Sequence, residues 1–290
     1  MRRRTLISTS IVAAALLAVL ALPAGAAGAL TLKPADVAWK KIAQPALPSW
    51  ATWDLHRKVV AAGPKGLAIP TSTDVPASSL AFLGIRPGQL LVLFSADGTT
   101  ISLCTSNFIF SNGSQFFVGM AGHCGLPGDD VDMLFLPGGL VNIGKVVMST
   151  GDAGVGNDFG LISIDPSLNQ WVSPSMAYWG GPTGAYAGTG PAVVEHAGWG
   201  AVIGTGGTPR VGLGITWTNR EWRFEGLITP GDSGSAANVL GGLAAGNITH
   251  ITVDLTIAAG TSIQKILQLA GGYQLQTCSQ AIPWPLPGCP

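Results

Sequence analysis

A serine hydroxyl is a weak nucleophile near neutral pH. It attacks a carbonyl only when a neighbouring base takes its proton and a third group holds that base in one tautomer. Residues of these types stand in three short segments of the chain. Met120-Ala121-Gly122-His123-Cys124 offers the base, Asn157-Asp158-Phe159-Gly160-Leu161-Ile162 the acid, and Pro230-Gly231-Asp232-Ser233-Gly234-Ser235 the nucleophile. Gly231 and Gly234 permit the backbone angles of a tight anion-binding turn. The N–H groups of Gly231 and Ser233 are natural donors to an oxygen that becomes negative during attack. Such a set could carry acyl transfer through a serine ester.

Each segment also has a plainer meaning. Gly-Asp-Ser-Gly is ordinary turn chemistry. His123 follows an apolar strand and precedes a cysteine, whereas His56, His196 and His250 lack such a setting. Asp158 stands at a strand entry, and Asp165, at the end of the same strand, is the second candidate. Asp129, Asp130 and Asp132 lie close to His123 in the chain and read as a solvated loop, with calcium as the lesser alternative. The order His, Asp, Ser is one of three known for such triads. Asp232 calls for a buried cationic partner, and Arg210, Arg220 and Arg223 are the candidates.

The elements that must hold these groups are short. Gln89–Phe94, Ile101–Cys104, Phe108–Phe110, Phe116–Met120, Val141–Met148 and Phe159–Ile164 read as strands, with turn signals such as Asn112-Gly113 between them. Residues 166–190 read as a connection. A second strand series follows: Ala192–Glu195, Ala201–Ile203, Val211–Trp217, Arg223–Ile228, Ser235–Leu240 and His250–Leu255. Ser262–Leu269 is the best helix candidate, and Val37–Ile42 suggests one helical turn. Evenly spaced strands without long helices indicate an all-β barrel or sandwich.

Composition agrees. Hydrophobic residues make up 47% of the 290 positions and charged residues 10%, with 41 glycines and 20 prolines. A formal net charge of zero offers no basic face for nucleic acid. Arg2-Arg3-Arg4, the apolar run Ile11–Leu22 and the small-residue sites Ala24-Gly25-Ala26 and Ala27-Gly28-Ala29 form a cleaved export signal over residues 1–29, too short to span a membrane. Export permits disulfides. Four cysteines allow three pairings, and proximity favours Cys104 with Cys124 and Cys278 with Cys289. Residues 30–84, rich in proline and tryptophan, read as an N-terminal extension or propeptide lying against the main domain.

Taken together, the chain resembles the chymotrypsin-fold serine proteases, in particular their short bacterial streptogrisin and α-lytic branch. Ala121-Gly122-His123-Cys124, Gly156-Asn157-Asp158-Phe159-Gly160 and Pro230-Gly231-Asp232-Ser233-Gly234 carry the resemblance. It implies two packed six-stranded antiparallel β-barrels over residues 85–276, to which the helix candidate adds a short C-terminal helix; the Cys278–Cys289 pair, a departure from the family, would close a tail over residues 277–290. The resemblance further implies a monomeric, exported endopeptidase that takes a protein or peptide substrate and needs no metal or cofactor. Ser235-Ala236 replace the family's usual Gly-Pro, and Thr229 replaces a frequent cysteine. Leu227 stands where tryptic members carry an aspartate, and Ala245, Gly246 and Asn247 resemble the segment that lines the pocket, which together imply an uncharged residue before the cleaved bond. A protease fold kept as a catalytically silent binding module is the alternative.

Overall fold

Short apolar runs punctuated by Gly, Asn and Asp satisfy their backbone groups by pairing with one another. The computed structural model, which describes residues 38–63, 84–135, 139–200 and 207–279, consists mainly of such pairs. The first sheet contains β2 (Leu90–Phe94), β3 (Ile101–Thr105), β4 (Ile109–Ser111), β5 (Phe116–Met120), β6 (Asp130–Phe135), β7 (Gly139–Ser149), β8 (Gly160–Ile164) and β17 (Gln274–Leu275). Its order is β17-β4-β5-β8-β7-β6-β2-β3. The second contains β1 (Trp39–Lys41), β9 (Gly184–Ala185), β10 (Ala192–Gly198), β11 (Thr208–Trp217), β12 (Glu221–Glu225), β13 (Ala236–Val239), β14 (Leu243–Asn247), β15 (His250–Thr252) and β16 (Ile257–Thr261). Its order is β1-β15-β16-β12-β11-β10-β13-β14-β9. All pairs are antiparallel except β14 with β9. The all-β class and the two-part arrangement agree with the expected two-barrel fold, but the sheets hold eight and nine strands among the described residues, not six, with β17 at the edge of one and β1 and β9 at the edges of the other.

Each sheet encloses its own core, built around Leu91, Val118, Met133 and Ile162 in the first and Val194, Trp222, Phe224 and Ile251 in the second. A third cluster joins them. It sets Phe110, Phe117 and Leu161 of the first sheet against Ala236 and Ala244 of the second. The C-terminal helix α2 (Ile263–Leu269) adds Ile263 and Ile266, as its apolar face predicts. Ser262 caps it, its Oγ accepting from the Lys265 N–H at 3.3 Å. Burying each large apolar side chain here stabilises the junction by about 1.5–3 kcal/mol.

The N-terminal extension departs from expectation. Val37 lies outside the described residues, and the rest of the expected helical turn, residues 38–42, is not helical. Trp39–Lys41 is strand β1, because the free edge of β15 supplies its hydrogen-bond partners. A helix stands further on, α1 (Trp53–Ala62), capped by Thr52 Oγ1 accepting from Leu55 N at 3.2 Å. It lies against the first sheet through Val59 and through His56, whose ring stacks on Phe94 with centroids 4.0 Å apart. The sequence concealed this helix, since only His56 and Val59 on it are buried.

The acidic cluster is no solvated loop either. Asp130 and Asp132 lie on β6, and Asp129 and Asp132 are buried. Asp129 accepts from Ala96 and Leu126 N–H groups, Asp130 pairs with Lys145, and Asp132 takes His56 and Asn142.

Candidate active site

Strand β5 delivers the chain to a single 3-10 turn, Gly122–Cys124, which carries His123. Two ties fix that turn. Cys124 is disulfide-bonded to Cys104 on β3, and Ser149 Oγ donates to Gly122 O at 2.7 Å. The turn bearing Asp158 is clamped by Thr150, whose Oγ1 donates to Asn157 O at 2.8 Å and accepts from Phe159 N at 2.9 Å. The second sheet braces it from the other side. Asn247 Nδ2 donates to Asp158 O at 2.9 Å, and Asp158 N donates to Thr261 Oγ1 at 3.0 Å. Asp158 thereby sits wholly buried where the two sheets meet.

These ties bring the three chemical groups into line. The His123 Nδ1–H donates to Asp158 Oδ2 at 2.6 Å, and His123 N donates to Oδ1 at 3.0 Å. The Ser233 hydroxyl lies 2.9 Å from His123 Nε2. A carboxylate holding both the backbone and the ring of one histidine fixes its tautomer, leaving Nε2 to accept the serine proton. Asp165, the second acid candidate, lies outside this set and caps a 3-10 turn through Ser167 N at 2.8 Å.

Ser233 follows a turn held at several points. Gly231 has φ 101°, a conformation that disfavours side chains, and a Cβ there would strike the Trp199 carbonyl. Thr105 Oγ1 donates to Gly231 O and Thr105 N to Ser233 O, both at 2.8 Å. Asp232 Oδ2 accepts from Thr229 N at 2.8 Å and pairs with Arg210, the cation among the three candidates that reaches it. Burial pushes the Asp232 carboxyl up, and Arg210 pulls against it. Arg223 instead pairs with Glu221. Among the described residues, neither the Gly231 nor the Ser233 N–H donates to a backbone carbonyl.

Of the residues read as substrate-contacting, Ala245, Gly246 and Asn247 are buried and Leu227 is exposed. Ala245 is buried in the second core, Gly246 pairs with Ala237, and Asn247 braces Asp158. Leu227 is 56% exposed, while its neighbour Ile228 is buried in the second core. The sheet edge that accepts an extended strand is His250–Thr252.

His250 is the residue that sequence reasoning passed over. Its Nδ1 lies 3.9 Å from Asp158 Oδ2, its Nε2 lies 3.4 Å from Asp152, and its ring centroid is 6.4 Å from that of His123. Burial holds its imidazole below the ordinary value, despite the nearby carboxylates. Only its place after Asn247, on the segment that closes over Asp158, could have signalled it. Cys278 is disulfide-bonded, and its expected partner Cys289 lies outside the described residues, as do residues 1–29 and Ala201–Ile203.

No family model matches the chain, and no curated protein sequence matches it. Among solved structures it is similar to Thermobifida fusca Protease A, with 22% identity over 67% of this chain and 98% of that one and a TM-score of 0.44. It is similar to a glutamic acid specific serine protease, with 17% identity over 66% of this chain and 100% of that one and a TM-score of 0.48. It is also similar to Nocardiopsis protease, with 16% identity over 67% and 100% of the two chains and a TM-score of 0.42.

Proposed function

We propose that the chain is an exported serine endopeptidase. The observation that supports this most is the continuous relay from Asp158 through His123 to Ser233, with contacts of 2.6 and 2.9 Å. In this scheme Ser233 Oγ attacks the scissile carbonyl while His123 Nε2 takes its proton. Asp158 holds the ring and stabilises its charged form. The Gly231 and Ser233 N–H groups receive the oxyanion, and His123 returns the proton to the departing amine. Water then repeats the sequence on the ester.

Export is supported by residues 1–29 and by the Cys104–Cys124 bond, which suits an oxidising compartment. Among the described residues no helix is long and apolar enough to cross a membrane. The test is hydrolysis of fluorogenic peptides bearing aliphatic or basic residues before the reporter. The expected result is turnover of the aliphatic series, lost by on the order of 10⁶-fold in Ser233→Ala. Equal turnover by Ser233→Ala would refute the proposal.

A further inference from the structure

The site is closed by its own chain. Ser233 is 1% exposed and the His123 side chain 2%. The cover is the segment around β1, which lies along β15 in register, Trp39 opposite Thr252, Lys40 opposite Ile251 and Lys41 opposite His250. Ala38 O accepts from Val253 N at 3.2 Å, and Ile42 N donates to Thr249 O at 3.0 Å. An extended segment added to a sheet edge is a general way for a protein to hold a peptide. Here the pairing leads straight to the nucleophile, since Ser233 Oγ lies 3.4 Å from the Ile42 carbonyl oxygen.

Contacts continue on both sides of that carbonyl. Before it, the Ile42 side chain is buried in the second core cluster with Ile228, Ile248, Ile251 and Ala258. The Arg223 guanidinium covers the Trp39 ring at 5.3 Å, and Lys41 lies 3.7 Å from Asp152. After it, Gln44 Oε1 accepts from Leu103 N at 2.9 Å, on the β3 side of the cleft. The peptide Ile42–Ala43 therefore crosses the catalytic serine with both flanks held.

We infer that residues 38–44 are a tethered substrate and that Ile42–Ala43 is the first bond the site cleaves. This rests on the catalytic role proposed for Ser233. In the step, the Ser233 O–H bond breaks, its proton passes to His123 Nε2, and Oγ bonds to the Ile42 carbonyl carbon. The C–N bond to Ala43 breaks as His123 gives the proton to that nitrogen. Water then hydrolyses the ester, leaving an Ile42 carboxylate and an Ala43 amine. Holding both reactants in one chain favours this first turnover through proximity. It also assigns the pocket a branched aliphatic residue before the cut, and it keeps the cleft from other peptides until the segment departs.

The experiment follows the intact mass and N-terminal sequence of the full chain over time, across a tenfold range of protein concentration. Ser233→Ala and Lys40→Pro are run beside it. Lys40 is exposed and opposite Ile251, so proline there weakens the strand pairing without touching the core. The expected result is a new terminus at Ala43, formed at a rate independent of concentration, absent in Ser233→Ala and at least tenfold slower in Lys40→Pro. An intact Ile42–Ala43 bond, in a protein whose Lys40→Pro variant labels at Ser233 with a fluorophosphonate, would overturn the self-cleavage and leave the protease proposal standing. Absence of labelling in both wild type and Lys40→Pro would overturn the two together.

Discussion

Asp158 acts on the serine only through His123, so its charge and its geometry can be separated. Asn at this position keeps the size of the side chain and can still accept from His123 N, but its amide offers a donor where the ring requires an acceptor. The wrong tautomer then faces Ser233. Asp158→Asn should lower kcat by about 10⁴ with KM little changed, measured on an aliphatic peptide. His250 stands beside this set, with Nδ1 3.9 Å from Asp158 and 2.8 Å from Thr249 Oγ1, and Nε2 3.4 Å from Asp152. The His123, Asp158 and Ser233 positions were legible in the sequence because each lies in a compact motif beside a strand. His250 and Thr261 were not, because each joins the site through a sheet contact about a hundred residues distant in sequence.

The turn carrying Ser233 depends on a pair drawn from two elements. Arg210 on β11 compensates Asp232, and neither is appreciably exposed. Removing the cation leaves a buried carboxylate unpaired, so Arg210→Met should cost about 3–5 kcal/mol in urea unfolding. Adding Asp232→Asn to that variant should recover part of the loss. The sequence identified Asp232 as needing a partner and named Arg210 among three, but choosing required the register of β10 and β11, where His196 lies opposite Arg210. Most strands were readable because alternating or apolar runs end at Gly, Asn or Asp. Strand β1 was not, since Trp39-Lys40-Lys41 has no period of its own and is extended only because β15 offers an edge. Ala245–Asn247 and His250–Thr252 lie on consecutive strands, and only pairing tells which of the two accepts β1 along its edge.

At the scale of the whole molecule, two adjacent residues on β10 give stability a pH dependence. Burial pushes the Glu195 carboxyl up from 4.5 to about 7, and burial with Arg210 nearby lowers His196 from 6.5 to about 3. Folded Glu195 holds its proton to higher pH than the unfolded chain, so its contribution is full below about pH 4.5 and lost as pH rises through 7. His196 works oppositely, since the unfolded chain binds its proton first as pH falls below about 6.5. Glu195→Gln should therefore melt above wild type at pH 8, with the gap gone at pH 4, read by thermal unfolding. The same scale governs access to the site, because β1 pairs with the second sheet, α1 packs on the first, and the Ile42 carbonyl that follows β1 meets Ser233. If Ser233 is the activated nucleophile proposed above, it must react with an electrophile that the other serines ignore. The most direct measurement is fluorophosphonate labelling of wild type, Lys40→Pro and Ser233→Ala, with the adduct located by mass spectrometry. A single adduct on Ser233, faster in Lys40→Pro and absent from Ser233→Ala, is the predicted result. Folded Lys40→Pro protein that takes no label at Ser233 would contradict it.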